Sequence, residues 1–67
     1  MIVLPPSLNV REFAVLIRRS EEFVRRKVRE GVIKSDGHSP MQIPSGELRK
    51  LNLDLDHCAA YYALKFS

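Results

Sequence analysis

The sequence predicts a mainly α-helical domain with a small β-hairpin and three or four helices in all. Three observations carry this. Helix-start signals stand at Asn9 and Ser20. A turn-rich stretch over 35–40 separates two β-prone segments. An apolar stripe at spacings of three and four then runs from Leu48 to Phe66.

The first helix is expected over about 10–17. Asn9 is a good N-cap, and Glu12 three residues later completes the capping-box pattern. Leu8 and Phe13 flank that box where a hydrophobic staple places them, and Phe13, Val15, Leu16 and Ile17 give the apolar side. Only Arg18-Arg19 precedes the next start. Ser20 caps, Glu21 and Glu22 lie where the helix dipole favours negative charge, and Gly31 closes the pattern. The second helix therefore spans about 21–30 after a very tight turn, which makes a helix-turn-helix or an ordinary helical hairpin.

Beyond Gly31, Val32-Ile33 is β-prone, and Met41-Gln42-Ile43 can return as its partner strand. This predicts a hairpin wing over about 32–43. Ser45, after Pro44, is a candidate N-cap for a third helix. Leu48, Leu51, Leu55, Cys58, Ala59, Tyr62 and Phe66 then form one stripe, expected to break near 52–54. The stripe reads either as core packed on the first helix or as a contact between copies of the chain, building a dimer or a filament.

At 67 residues, with 45% hydrophobic composition, the chain reads as one folded domain over 1–67: a core at 8–51 with a C-terminal helical extension at 52–67. The single cysteine, Cys58, forms no internal disulfide, and with His38 and His57 it falls short of a zinc ligand set. No run is long enough to span a membrane, and no secretory leader is visible at Met1, so the expected compartment is the cytoplasm. No Gly-rich phosphate loop, metal-ligand cluster or nucleophile–base pair is present. Neither an enzyme activity, a cofactor, a metal nor a small-molecule substrate is expected.

The charge is unevenly placed. Segment 18–34 holds seven Lys or Arg and three Glu, a net of +4, while 1–17 balances to zero and 35–67 sums to −1. A concentrated basic segment suits a polyanion, although a solvated helix face produces the same pattern. A helical wheel separates the roles. With Val24 at zero, Val28 falls at about 40°, so both point inward; Glu22, Arg26 and Arg29 fall at roughly 140–200°, on the opposite face. Arginine can bond guanine O6 and N7 together, and glutamate can accept from cytosine N4, so these three are candidate base readers of double-stranded DNA. Arg18, Arg19, Ser20, Arg25 and Lys27 are candidates for phosphates. The competing reading makes Glu22, Arg26 and Arg29 a surface network at spacings of three and four. Phe23, at about 260°, either tucks against Phe13 or Ile33 at the core edge or stays exposed for a second copy or a thymine methyl.

The run Ser20-Glu21-Glu22-Phe23-Val24-Arg25-Arg26-Lys27-Val28-Arg29-Glu30-Gly31 resembles the second helix of excisionase-type, MerR-like winged helix-turn-helix domains. Glu22-x-Val24-Arg25-Arg26-x-Val28-Arg29-Glu30 is most similar to lambda-type phage excisionases and to Cox-type proteins. Leu8-Asn9-Val10-Arg11-Glu12-Phe13 before it, and Gly31-Val32-Ile33 and Ile43-Pro44 after it, extend the resemblance to about 8–51. Transcriptional regulators and small terminase subunits share the motif. The resemblance implies that the second helix enters the major groove, with Glu22, Arg26 and Arg29 on bases, and that the wing reaches the neighbouring minor groove. It implies a recombination directionality factor that binds repeated sites cooperatively, bends DNA and directs a tyrosine integrase towards viral genome excision. The alternative is a phage repressor or activator of transcription on the same face. Two departures stand out: the wing offers only Lys34 and His38 as cations, and 54–67 is more apolar than a disordered basic tail.

Overall fold

A computed structural model of the chain describes residues 4–37 and 41–66. In order, these form β1 (Ser7–Asn9), α1 (Val10–Ile17), α2 (Glu21–Arg29), β2 (Gln42–Pro44), a 3₁₀ helix (Ser45–Leu51) and α3 (Leu55–Phe66). The fold is mainly helical with a small two-stranded antiparallel sheet, the architecture expected of a winged helix.

Local chemistry sets the two leading helices. The Asn9 side chain accepts from the Glu12 N–H at 2.7 Å, and the Glu12 carboxylate accepts from the Asn9 N–H at 3.1 Å, so the capping box is complete. Leu8 and Phe13, the staple residues, are both fully buried. Arg18 ends α1 in the left-handed region at φ 60, and the Arg19 N–H returns to the Ala14 carbonyl at 3.0 Å. Ser20 then accepts from the Phe23 N–H at 3.1 Å and starts α2. Three residues separate the two helices, so the tight turn is as expected.

The wing is smaller than expected and closes differently. Val32 and Ile33 are not a strand. Gly31 takes φ 80, its N–H bonds the Val28 carbonyl, and the Val32 N–H bonds the Lys27 carbonyl at 3.0 Å. That pattern is a Schellman closure, which uses the backbone a strand would need. Among the described residues a single antiparallel bridge, Asp36 to Gln42, remains of the hairpin ladder. Gln42 and Ile43 pair instead with the segment before α1, in the register Ser7–Pro44, Leu8–Ile43 and Asn9–Gln42. Leu8 and Ile43 face each other there without exposure, as a cross-strand pair should. The wing tip at 38–40 lies outside the described residues.

Ser45 does not cap the next helix. Pro44 holds that position without a side-chain bond, and the Ser45 hydroxyl donates to the Pro6 carbonyl at 3.3 Å, tying the helix start to the N-terminal segment. The break falls where the stripe predicts: Asn52 turns left-handed at φ 61, and the Asp54 carboxylate accepts from the Asp56 N–H at 3.0 Å as α3 begins. One core unites these elements, with Leu8, Phe13, Val24, Ile33, Ile43 and Leu48 its largest fully buried side chains. Cys58 and Ala59 of α3 are buried against it, and Leu55, Tyr61 and Tyr62 pack around them. The Tyr62 hydroxyl donates to Glu12 Oε2 at 2.8 Å, so α3 is anchored on the first turn of α1. Much of the C-terminal stripe is therefore intramolecular core, with Leu64 left 78% exposed.

Candidate nucleic-acid interface

α2 has one fully buried side chain, Val24, with Val28 half-buried behind it. Everything outward is charged. Glu22, Arg25, Arg26 and Arg29 are all exposed; of the three candidate base readers, Glu22 and Arg29 meet, while Arg26 leans towards Phe23. Their pairing differs from a ladder of spacings three and four. Arg29 reaches back seven residues to Glu22 at 3.3 Å, with both side chains more than 60% exposed. Arg25 meets Glu21 at 3.3 Å and Lys27 meets Glu30 at 3.2 Å. Arg26 has no ion pair among the described residues. Such exposed pairs are worth about 0.2–1 kcal/mol, less than the roughly 1–3 kcal/mol of a bidentate arginine–guanine contact. They orient the guanidinium groups without locking them away.

The candidate phosphate contacts divide into three groups. Arg25 lies beside Glu21 on the outer face. The guanidinium of Arg18 sits over the Tyr61 ring, 5.4 Å from its centroid, and so leans towards α3 rather than α2. Arg19 and Lys27 gather over the Phe23 ring, at 5.1 and 5.3 Å, joined there at 5.7 Å by Arg26, one of the candidate base readers. The Ser20 oxygen accepts the Phe23 N–H, while its own O–H is not used in any described bond. Phe23 itself does not join Phe13 or Ile33. It lies half-buried beside Ile17, Leu51 and Leu53 under this cationic cover. The wheel placed it off the valine side but missed its role. The signal was in the spacing, because Arg19, Arg26 and Lys27 stand at minus four, plus three and plus four from it.

At the wing, Lys34 is exposed and His38 lies outside the described residues. Glu47, a residue the sequence gave no reason to single out, anchors this segment. It is 8% exposed and accepts from the Lys34 N–H at 2.7 Å and from Lys50 Nζ at 3.0 Å. Burial alone would raise its carboxyl pKa. The bonds from Lys34 and Lys50 and the charges of both lysines outweigh that and hold it below its ordinary value. Burial, and then the Asp54 charge, push the Cys58 thiol up, in keeping with a small buried apolar side chain. His57, next to it, is exposed, and both line the same cavity beside Tyr61.

Among the described residues no three of His, Cys, Asp and Glu gather as metal ligands, and no helix is long and apolar enough to cross a membrane. The chain matches no family model, no curated protein and no solved structure. The geometry of α2 and its surroundings is what bears on function.

Proposed function

We propose that the chain is a sequence-specific, DNA-binding architectural protein of the excisionase class: a recombination directionality factor of a phage that acts on DNA in the host cytoplasm. In this reading α2 lies in the major groove with Glu22, Arg26 and Arg29 towards base edges. Arg19, Ser20, Arg25 and Lys27 hold phosphates, with Arg18 the least well placed of that set. Lys34 and His38 reach the flanking minor groove. A tyrosine integrase is the protein partner, and copies of the chain associate along the DNA, which they bend.

The observation that supports this best is the split of α2 into one buried valine and an outer face of exposed guanidinium and carboxylate groups, held up by a three-residue turn. Binding-site selection from random duplexes, followed by a salt series, tests it. About six phosphate contacts give a log–log slope near −5. Arg26→Ala should cost about 1–3 kcal/mol on the selected site and relax preference at one position, while Arg25→Ala weakens selected and random DNA alike. A flat salt response, or identical behaviour of the two variants, defeats the reading.

The reduced wing favours a second reading. One bridge and one described cation, Lys34, make a weak minor-groove clamp, which suits a transcriptional repressor or activator that bends DNA little. Energy transfer between dyes at the two duplex ends distinguishes the readings: a strong bend supports the architectural role and a straight duplex the regulatory one.

A further inference from the structure

Two adjoining cavities lie on the side of the molecule where the α1–α2 turn meets α3. One, of 260 Å³, has Arg18, Leu53 and Tyr61 in its wall; the other, of 210 Å³, has Arg19, Leu51 and Phe23. Ile17 and Leu53 line both, so the two form a single groove with an apolar floor and an aromatic ring at each end. Cations cover both rings: Arg19, Arg26 and Lys27 lie over Phe23, and Arg18 and Lys65 over Tyr61. Of these five, only Lys27 has a carboxylate partner among the described residues. No carboxylate lines either cavity.

We propose that this groove is a docking site for an acidic peptide segment of another protein, one carrying two large apolar side chains. The argument is charge complementarity over an apolar floor. Each half of the groove, at 260 and 210 Å³, has room for one bulky side chain. A pair of cavities under a shared cationic rim suits two anchors on one short segment, with its carboxylates answering Arg18, Arg19, Arg26 and Lys65. Nucleic acid fits less well, because Ile17, Leu51 and Leu53 offer base edges nothing to hydrogen-bond. The groove is centred about a third of a turn around α2 from the Glu22–Arg29 pair, but its rim shares Arg18, Arg19, Arg26 and Lys27 with the proposed DNA face, so peptide and duplex DNA would compete for those cations.

The test is titration of the isotope-labelled protein with short synthetic Glu-rich peptides bearing Phe and Leu three, four or seven residues apart. Two controls replace the Phe and Leu with Ser, or the Glu with Gln. Expected are saturable amide shifts at Ile17, Phe23, Leu53 and Tyr61 with at least one spacing, and roughly tenfold weaker binding of both controls. Phe23→Ser should weaken binding by a similar factor with an unchanged circular dichroism spectrum. Arg19→Glu serves as the second variant should Phe23→Ser disturb folding. The proposal fails if no peptide saturates, or if the serine control binds equally, which reduces the effect to bulk charge. It also fails if duplex DNA moves Leu53 and Tyr61 more tightly than any peptide does.

Discussion

α1 and α2 are almost equal in length, eight and nine residues, and each opens on a polar side chain that accepts the third helical N–H. They differ in what they bury. α1 encloses Val10, Phe13, Ala14 and Leu16, whereas α2 encloses Val24 alone. An isolated helix of this length is marginal in water, so each must be held by something outside itself. α1 is held by its face. α2 is held by Val24 and by its ends, with Ser20 on one side and, on the other, the Schellman closure that leads into buried Ile33 and into Lys34 bonded to Glu47. A helix fastened at its ends leaves its outer residues free of structural duty. That freedom lets α2 carry four arginine or lysine residues and two glutamates within nine positions.

The sharpest way to break this comparison is to hollow out each helix in turn. Phe13→Ala should cost about 3–5 kcal/mol by urea unfolding, enough to threaten folding of so small a chain. Val24→Ala should cost about 2 kcal/mol. Equal losses would show that α2 depends on its face as much as α1 does.

Next in size is Glu47→Ala, expected to cost about 1–3 kcal/mol because it removes the acceptor of the part-buried Lys34 N–H bond and the partner of Lys50. Hydrogen exchange should then quicken in 27–34 more than in α1. The same carboxyl has a folded pKa below its ordinary value of 4.5. Its contribution is therefore fully present above that value and is lost as pH falls through the lower folded one. The wild-type urea midpoint should drop in that acid range, and Glu47→Ala should remove part of the drop.

The two caps make a finer comparison. Asn9→Ala and Ser20→Ala should each cost about 1 kcal/mol in thermal unfolding. The two losses should be similar, because each removes one acceptor of a helical N–H and the Asn9 backbone bond to Glu12 survives. Smallest is Glu21→Ala, which frees Arg25 from a half-exposed pair and should move stability by less than about 1 kcal/mol.

What was legible in the sequence follows the range of the interaction. Both leading helices could be bounded to within a residue because Asn9, Glu12, Ser20 and Gly31 act within four positions of themselves. The inward turn of Val24 follows from helical geometry alone. β1 escaped because three residues are too few for a pattern, and their partners lie more than thirty positions away. Val32-Ile33 misled because β-propensity is a weak preference, and the demand of α2 for a closing turn overrode it. Glu47 has the residue type of a surface position; only the tertiary approach of Lys34 makes it a buried acceptor. The outer residues of α2 were placed correctly by the wheel. The partner choice of Arg29, seven positions back, depends on side-chain reach, which no wheel contains.

The Glu12 carboxylate has one further consequence. One of its oxygens secures the backbone of Asn9 and the other receives the phenol of Tyr62, fifty positions on. A proteolytic nick late in α3 would thus release a tether on the opening turn of the fold. Damage late in α3 would be felt as fraying at the start of α1.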